Sequence, residues 1–395
     1  MEKETGKGRR TVAFEHYVRS GAKLLRCGYT TGTCAALAAA AAARLLLTGS
    51  APKHVSLMTQ KGLEVDVPIE QWGWDGTNAW CAVVKDAGDD ADVTNGTAIV
   101  ATVSHRVQAG VTIDGGKGVG RVTKPGLDQP VGNAAINRVP RQMIAQAVTA
   151  VCEELCHEGG MQVIISAPDG EALAQKTFNP QLGVVGGISI LGTSGIVEPM
   201  SEQAIVATIA VEVHQAALTS HDLILTPGNY GQSFLREHGM QTSGIPIVKS
   251  SNFIGESLDI AASEHMQRVL LVGHIGKLVK LAGGIMNTHS RWADCRTELF
   301  CAHAAVCGAE QATCQALLNA ATTDACIEIL DDCGLRLAVL ARLLDAIQYH
   351  LNRRAAGAYR VGAVLFSNEY GLLGTTEVAE EIIREWNKNA EFSTE

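Results

Sequence analysis

His274 and His289 are the side chains whose type suits proton transfer near neutral pH, because imidazole is the group that ordinarily titrates there. Gly273-His-Ile-Gly-Lys277 follows an apolar run. Gly283-Gly-Ile-Met-Asn-Thr-His-Ser290, with Asp294 close behind, holds more hydrogen-bonding side chains than a plain core loop needs. His274 is the candidate base, with a purely structural histidine as the alternative. Anion binding is a second chemistry. In Arg26-Cys-Gly-Tyr-Thr-Thr-Gly-Thr-Cys34, residues Thr30, Thr31, Gly32 and Thr33 stand immediately before an alanine-rich helix ending near Leu47 and Gly49. Hydroxyl caps and unpaired amides at a helix start favour negative charge. The alternative is an ordinary capped, buried helix.

Between His105 and Arg141 there are six Lys/Arg and two Asp. Lys117, Arg121, Lys124, Arg138 and Arg141 make this a basic, glycine-rich region, read either as a flexible loop clamping carboxylates or phosphates or as a solvated loop. It is not a dinucleotide fingerprint, since Val-Thr-Lys-Pro-Gly126 stands where the helix should start. Opposite in sign is Lys85-Asp-Ala-Gly-Asp-Asp-Ala-Asp-Val-Thr94. Carboxylates so close repel one another unless a cation sits among them, so this is a solvated loop, a metal loop, or a contact for a cationic ligand through Asp89 and Asp90. The ligand ladder and terminal Glu of a calcium loop are missing. Cys152, Cys156 and His157, and Cys295, Cys301, His303, Cys307 and Cys314, lack the paired Cys-x2-Cys spacing of zinc sites, so no metal is expected.

These residues need elements to position them, and a chain of 395 residues can bury two cores. Residues 1–22 are polar and expected to be a flexible tail. Over 23–180 we expect an α+β domain. His54–Gln60 and Leu63–Ile69 form a hairpin, and Ala79–Lys85, Ala98–Ser104 and Val111–Ile113 add strands. Pro140 opens an amphipathic helix to about Cys156, and Gln162–Ser166 with Ala172–Phe178 closes the domain as a hairpin.

Gly186–Ser201 is the expected hinge and the first βα unit, with a strand at Ile188–Leu191, a turn at Gly192-Thr193-Ser194-Gly195 and a helix from Glu202 to Leu218. Further βα units start at Leu223, Ile245 and Val269. Together they predict an α/β, parallel, Rossmann-like domain over 186–345. Its loops would gather on one rim, where Gly192, Thr193, Ser194, Gly195, Gly228, Asn229, Tyr230, Gly273 and Lys277 would hold a polar ligand. Residues 346–395 are expected to give a helix end, a hairpin from Arg360 and an acidic tail helix.

Composition narrows the function. A net charge of -9 disfavours non-specific nucleic-acid binding, which needs a basic surface. Eleven cysteines are too sparse for a disulfide scaffold, and the charged first ten residues do not look like a leader, so the cytoplasm is the expected compartment. The apolar run Cys34–Ala43 is about half the length of a membrane span. No Gly-x4-Gly-Lys-Ser/Thr and no Gly-x-Ser-x-Gly occurs, which argues against P-loop kinases and serine hydrolases.

The stretches Arg26–Ala36, Lys85–Thr94, Gly187–Ser201 and Gly273–Ser290, in this order, closely resemble the CbiD family, the cobalt-precorrin-5B C-1 methyltransferases of oxygen-independent cobalamin synthesis. The resemblance spans roughly residues 24–375. It implies S-adenosylmethionine as methyl donor, with Asp89 and Asp90 near its sulfonium, and a corrinoid acceptor whose cobalt belongs to the substrate. It also implies that the polyanionic ring meets Lys117, Arg121, Lys124, Arg138, Arg141 and Thr30–Thr33, and that other cobalamin-pathway enzymes make transient contact. Such in-line transfer needs alignment and water exclusion rather than a protein nucleophile. One base would suffice, and His274 is the choice. A corrinoid-binding or handover protein without catalysis is the alternative.

Overall fold

The structure, a computed structural model, describes residues 14–21, 23–237 and 244–392. The chain divides into two compact units, Met1–Ser201 and Glu202–Glu395.

In the first unit β1 (Tyr17–Ser20) pairs antiparallel with β2 (Lys23–Arg26). The expected tail is therefore partly strand, and its residues 1–13 and 22 lie outside the described residues. β3 (Gly28–Tyr29) leads into α1 (Thr31–Thr48), where Cys34 through Ala43 are all at most 8% exposed. By length and hydropathy this helix passes for a membrane span, but 78% of it is buried inside the protein. Alanine makes that burial workable: a bare methyl lets neighbouring elements close in on every side. β4 (His54–Met58) and β5 (Glu64–Pro68) form the expected hairpin.

Next come β6 (Gln71–Trp74), β7 (Asn78–Val84), β8 (Ala98–Arg106), β9 (Val111–Gly115), β10 (Gly118–Val119), β11 (Arg121–Val122), α2 (Arg138–Glu154) and β12 (Gly160–Ser166). The main sheet has the order β6-β7-β8-β12-β9, with only the β12–β9 pair parallel. Ile99, Ala101 and Val103 alternate inward from β8 and pack in one core with the alanines of α1 and with Met143, Ile144 and Val148 of α2.

The hairpin expected over Gln162–Phe178 does not form. β12 sits between β8 and β9, and the following residues coil into α3 (Gly170–Ala174) and α4 (Asn179–Leu182). Ala172, Leu173, Ala174, Gln175 and Lys176 are all good helix formers, which favours this outcome. β13 (Val184–Val185), β14 (Gly187–Ile188) and β15 (Ile196–Val197) then pair with β11, β10 and β3 respectively. The run from Ile188 is therefore not the first strand of a second sheet: Ile188 and Ile190 are buried in the core of the first unit.

Glycines make this weave fit. A Cβ on Gly118 would lie 1.8 Å from the Ala167 carbonyl oxygen, and one on Gly187 would lie 2.1 Å from the Gly118 oxygen. The basic region is thus threaded into the unit rather than free to clamp.

The second unit opens with α5 (Glu202–Ala217), β16 (Asp222–Thr226), α6 (Asn229–Glu237), β17 (Ile247–Lys249), α7 (Ile254–Ser263), β18 (Arg268–His274) and α8 (Ile275–Leu278), followed by a 3-10 turn at Val279–Gly283. The helices α9 (Arg296–Val306), α10 (Gln311–Leu318), α11 (Thr323–Asp332) and α12 (Arg336–Ala355) precede β19 (Arg360–Ser367), β20 (Gly371–Thr375) and α13 (Glu377–Phe392). The sheet order is β17-β16-β18-β19-β20, parallel except for the terminal hairpin strand β20.

Strand residues alternate between two cores. Ile224, Leu270, Val272 and Phe366 face Phe234 of α6 and Trp386 of α13, while Leu223, Leu225, Leu271 and Leu365 face α5, α7 and α12. The expected break between residues 345 and 346 falls inside α12. Arg360–Ser367 completes the sheet rather than standing apart, because Val361–Phe366 is apolar on both faces and must be covered on both.

Gly118→Ala should lower stability by about 3 to 5 kcal/mol, from a backbone clash added to the strain of its φ of +74°. Gly132→Ala, at a φ of +91° with nothing near its Cβ, should cost only about 1 to 2 kcal/mol in the same urea denaturation series.

Candidate functional site

The second sheet changes direction between β16 and β18. From β16 the chain passes through α6, on one face, to β17; from β18 it passes through α8 to α12, on the other face, to β19. Connections that leave neighbouring strands for opposite faces open a crevice at their carboxyl ends, where parallel sheets bind ligands. Thr226-Pro227-Gly228 borders this crevice on one side and Gly273-His274 on the other.

Asn229 and Tyr230, both exposed, open α6, and Lys277 reaches back so that its Nζ donates to the Pro227 oxygen at 2.6 Å. Of the expected ligand contacts, Gly228, Asn229, Tyr230, Gly273 and Lys277 therefore do gather on one rim.

His274 caps α8: its Nδ1 accepts the Gly276 N–H at 3.0 Å. That bond assigns the ring proton to Nε2, so the neutral ring presents a donor outward and keeps its only acceptor occupied. Burial holds the imidazole below its usual pKa, against a smaller pull upward from Asp324. Asp324 is itself fixed by the Ser367 hydroxyl, at 2.7 Å. Burial likewise lowers Lys277, and the nearby Lys249 and Lys280 lower it further.

Lys280, only 3% exposed, explains the polar stretch after it. Its Nζ donates to the carbonyls of Thr288 (3.1 Å) and Ala293 (2.8 Å) and so folds the loop that carries His289. His289 is exposed, and its Nδ1 accepts the Arg291 N–H. Sequence reasoning passed over Thr226, Ser250 and Lys280. The available signal was a polar residue ending an apolar strand, as at Thr226 and at Ser250 just beyond β17.

In the first unit the two polar motifs bind each other. Thr30 caps α1 by accepting the Thr33 N–H, its own N–H donates to Gly195, and Gly32 donates to Leu191. The Thr31 hydroxyl accepts the Leu191 N–H at 3.0 Å, and the Thr33 hydroxyl donates to Gly195 at 2.6 Å. Gly192 (φ +124°) must lack a Cβ, which would sit 2.4 Å from the Thr30 side chain; a Cβ on Gly195 would lie 2.8 Å from Thr59. Ser194 turns its hydroxyl to Ile196, and Thr193 is exposed.

The acidic loop supplies its own cations. Arg26 forks onto Asp86 at 2.6 and 2.8 Å, its N–H donates to Asp89 at 2.7 Å, and the nearly buried Lys85 donates to Asp92 at 2.6 Å. Burial would raise the Asp92 carboxyl, but Lys85 and Thr94 outweigh it and hold it below the ordinary range. Asp90 accepts the Met200 N–H. Among the basic residues, Arg121 is forked onto Asp114, Lys124 donates to the Gln181 carbonyl, and Arg141 donates to the carbonyls of Ile113 and Ile136. Lys117 and Arg138 are exposed, with no ion-pair partner among the described residues.

Lys85→Met should cost about 3 kcal/mol by leaving Asp92 half-buried without its cation, and adding Asp92→Asn should recover part of that in thermal denaturation. His274→Leu should cost about 1 kcal/mol through the lost cap, whereas His274→Asn should keep it. A histidine held below its ordinary pKa of 6.5 takes up its proton more readily in the unfolded chain, so its contribution is full above that pH and declines as pH falls through it. Between about pH 7.5 and 5, His274→Asn should therefore lose less stability than the native protein.

Residues 18–199 match the family described as CbiD, and residues 287–377 match CbiD, C-terminal domain. A cobalt-precorrin-5B C(1)-methyltransferase from Ruminiclostridium cellulolyticum is 44% identical over 387 residues, covering 95% of this chain and 100% of that protein. Proteins of the same name from Alkaliphilus metalliredigens (41%, 93% and 97% covered) and Treponema denticola (42%, 90% and 98% covered) are similar throughout. The crystal structure of a cobalamin biosynthesis protein from Archaeoglobus fulgidus gives a TM-score of 0.38 at 28% identity, covering 71% of this chain and 87% of that one. With identity above 40% along more than nine-tenths of its length, the chain belongs to the CbiD family.

Proposed function

We propose that the protein transfers a methyl group from S-adenosylmethionine to C-1 of cobalt-precorrin-5B, giving cobalt-precorrin-6A. The observation that carries this reading is the full-length similarity to proteins of that name. Cobalt takes part only as a component of the ring. We take the second unit as a Rossmann-like domain that holds the donor along Gly228, Asn229, Tyr230, Gly273 and Lys277. The first unit is then an α+β domain that meets the ring's carboxylate arms through Lys117 and Arg138, which are exposed and have no ion-pair partner among the described residues. The net charge of -9 favours a small-molecule partner over nucleic acid, and we place the protein in the cytoplasm in passing contact with enzymes of the same pathway.

The donor's sulfonium supplies the methyl group. The chain's part is to orient and to exclude water. Five of the expected contacts are better placed as structure: Asp89, Asp90, Gly192, Ser194 and Gly195 are occupied within the first unit. His274 remains the candidate for handling a ring proton. To accept one at Nδ1 it must release the Gly276 amide; as it stands, it is a hydrogen-bond donor through Nε2.

Anaerobic incubation with cobalt-precorrin-5B and methyl-labelled S-adenosylmethionine should place label on the corrinoid. Tight binding of the ring with no transfer of label would instead support the handover protein.

A further inference from the structure

At the crevice between β16 and β18 the chain leaves hydrogen-bond donors unused. Lys277 Nζ satisfies one carbonyl, that of Pro227, and among the described residues no carboxylate pairs with it. Its charged neighbours are Lys249 and Lys280, which repel it. Glu212 lies near Lys249 rather than Lys277, taking the Lys249 backbone N–H. His274 presents Nε2–H, its other nitrogen being tied to Gly276.

At the adjoining strand end Thr226 is 0% exposed and its hydroxyl has no partner; the same is true of Ser250, whose N–H donates to the Thr226 carbonyl at 3.0 Å. A buried hydroxyl without a partner costs stability, so its presence calls for a group the chain does not itself supply. Gly228 lies beside Lys277: a Cβ there would be 3.9 Å from Nζ, an ordinary contact. Clustered lysines, a fixed imidazole donor and an orphan hydroxyl share one complement, which is a small anion with several acceptor oxygens.

We infer that the crevice binds a carboxylate, with Lys277 as its charged anchor and His274 Nε2–H and the Thr226 hydroxyl as neutral donors. This rests on the methyltransferase reading, under which two ligands bring carboxylates: the aminoacyl end of the donor and the acid arms of the ring. Both present the same chemistry to Lys277.

Isothermal titration separates them. S-adenosylhomocysteine is compared with 5′-methylthioadenosine, which keeps the nucleoside and thioether but lacks the amino acid. Cobyrinic acid is compared with its heptamethyl ester. If the donor's carboxylate binds here, Lys277→Met weakens S-adenosylhomocysteine by about 10- to 100-fold and leaves 5′-methylthioadenosine unchanged. If a ring carboxylate binds here, the same variant weakens cobyrinic acid alone, and the ester is unaffected. Lys277→Arg should recover most of the loss.

Thr226→Val guards against a trivial effect on folding. Removing an unpartnered hydroxyl should leave the melting temperature unchanged or raised while weakening the same ligand several-fold. A melting temperature that falls, with affinity intact, would make Thr226 structural and remove it from the site. Affinities for both acids that stay within twofold in Lys277→Met would overturn the inference, even if native protein transfers methyl normally. Native protein that neither transfers methyl nor binds S-adenosylhomocysteine would overturn the methyltransferase reading, and the inference with it.

Discussion

A helix buried from its first turn cannot leave its leading amides to water, and the first unit is arranged around that constraint. The start of α1 is sealed by the segment Ser189–Gly195, some 160 residues further along the chain. The threonines close the arrangement from one side, and the turn at Gly192–Gly195 closes it from the other. Lys85 and Arg26 settle the neighbouring carboxylates within the same structure. Three of the four stretches that carry the family resemblance thus meet in one place and hold one another.

The second unit treats its polar groups differently. Its interior is a plain parallel sheet covered on both faces, which asks little of any single residue beyond bulk and β-propensity. Its distinctive residues stand at the strand ends, where Lys277, His274 and Thr226 keep donors that the fold does not use up. One unit uses its motifs to close a core, and the other keeps its motif at an edge.

This contrast explains what was legible in the amino-acid sequence. Apolar runs such as Leu223–Thr226 and Val269–Val272, each ended by a glycine-bearing loop, announced the parallel strands and their rim, and the His54–Ile69 hairpin was equally plain. Gly192 and Gly195 read as ligand contacts in the sequence, although each packs closely on a threonine of the first unit, because a glycine bared for a cofactor and one bared for another stretch of chain are the same letter. Likewise the charge that calms Asp92 comes from Lys85, inside the very run whose repulsion suggested an outside cation. Residues 172–178 were drawn as a strand because a Pro-Asp-Gly turn precedes them, although their own side chains prefer a helix. Contacts formed across 160 positions leave no local pattern to read.

That distance also bears on how the protein comes into being. Gly28–Tyr29 pairs with Ile196–Val197, so the first half of the chain has no finished edge until nearly two hundred residues have left the ribosome. Until then the alanine-rich helix is an apolar rod with an open end, and nascent chain emerges at only about 5 to 20 residues per second. Loop closure over such a span is slow relative to local helix formation. The first unit is therefore completed late in its own synthesis, and its most apolar element is the one that waits longest for its cover.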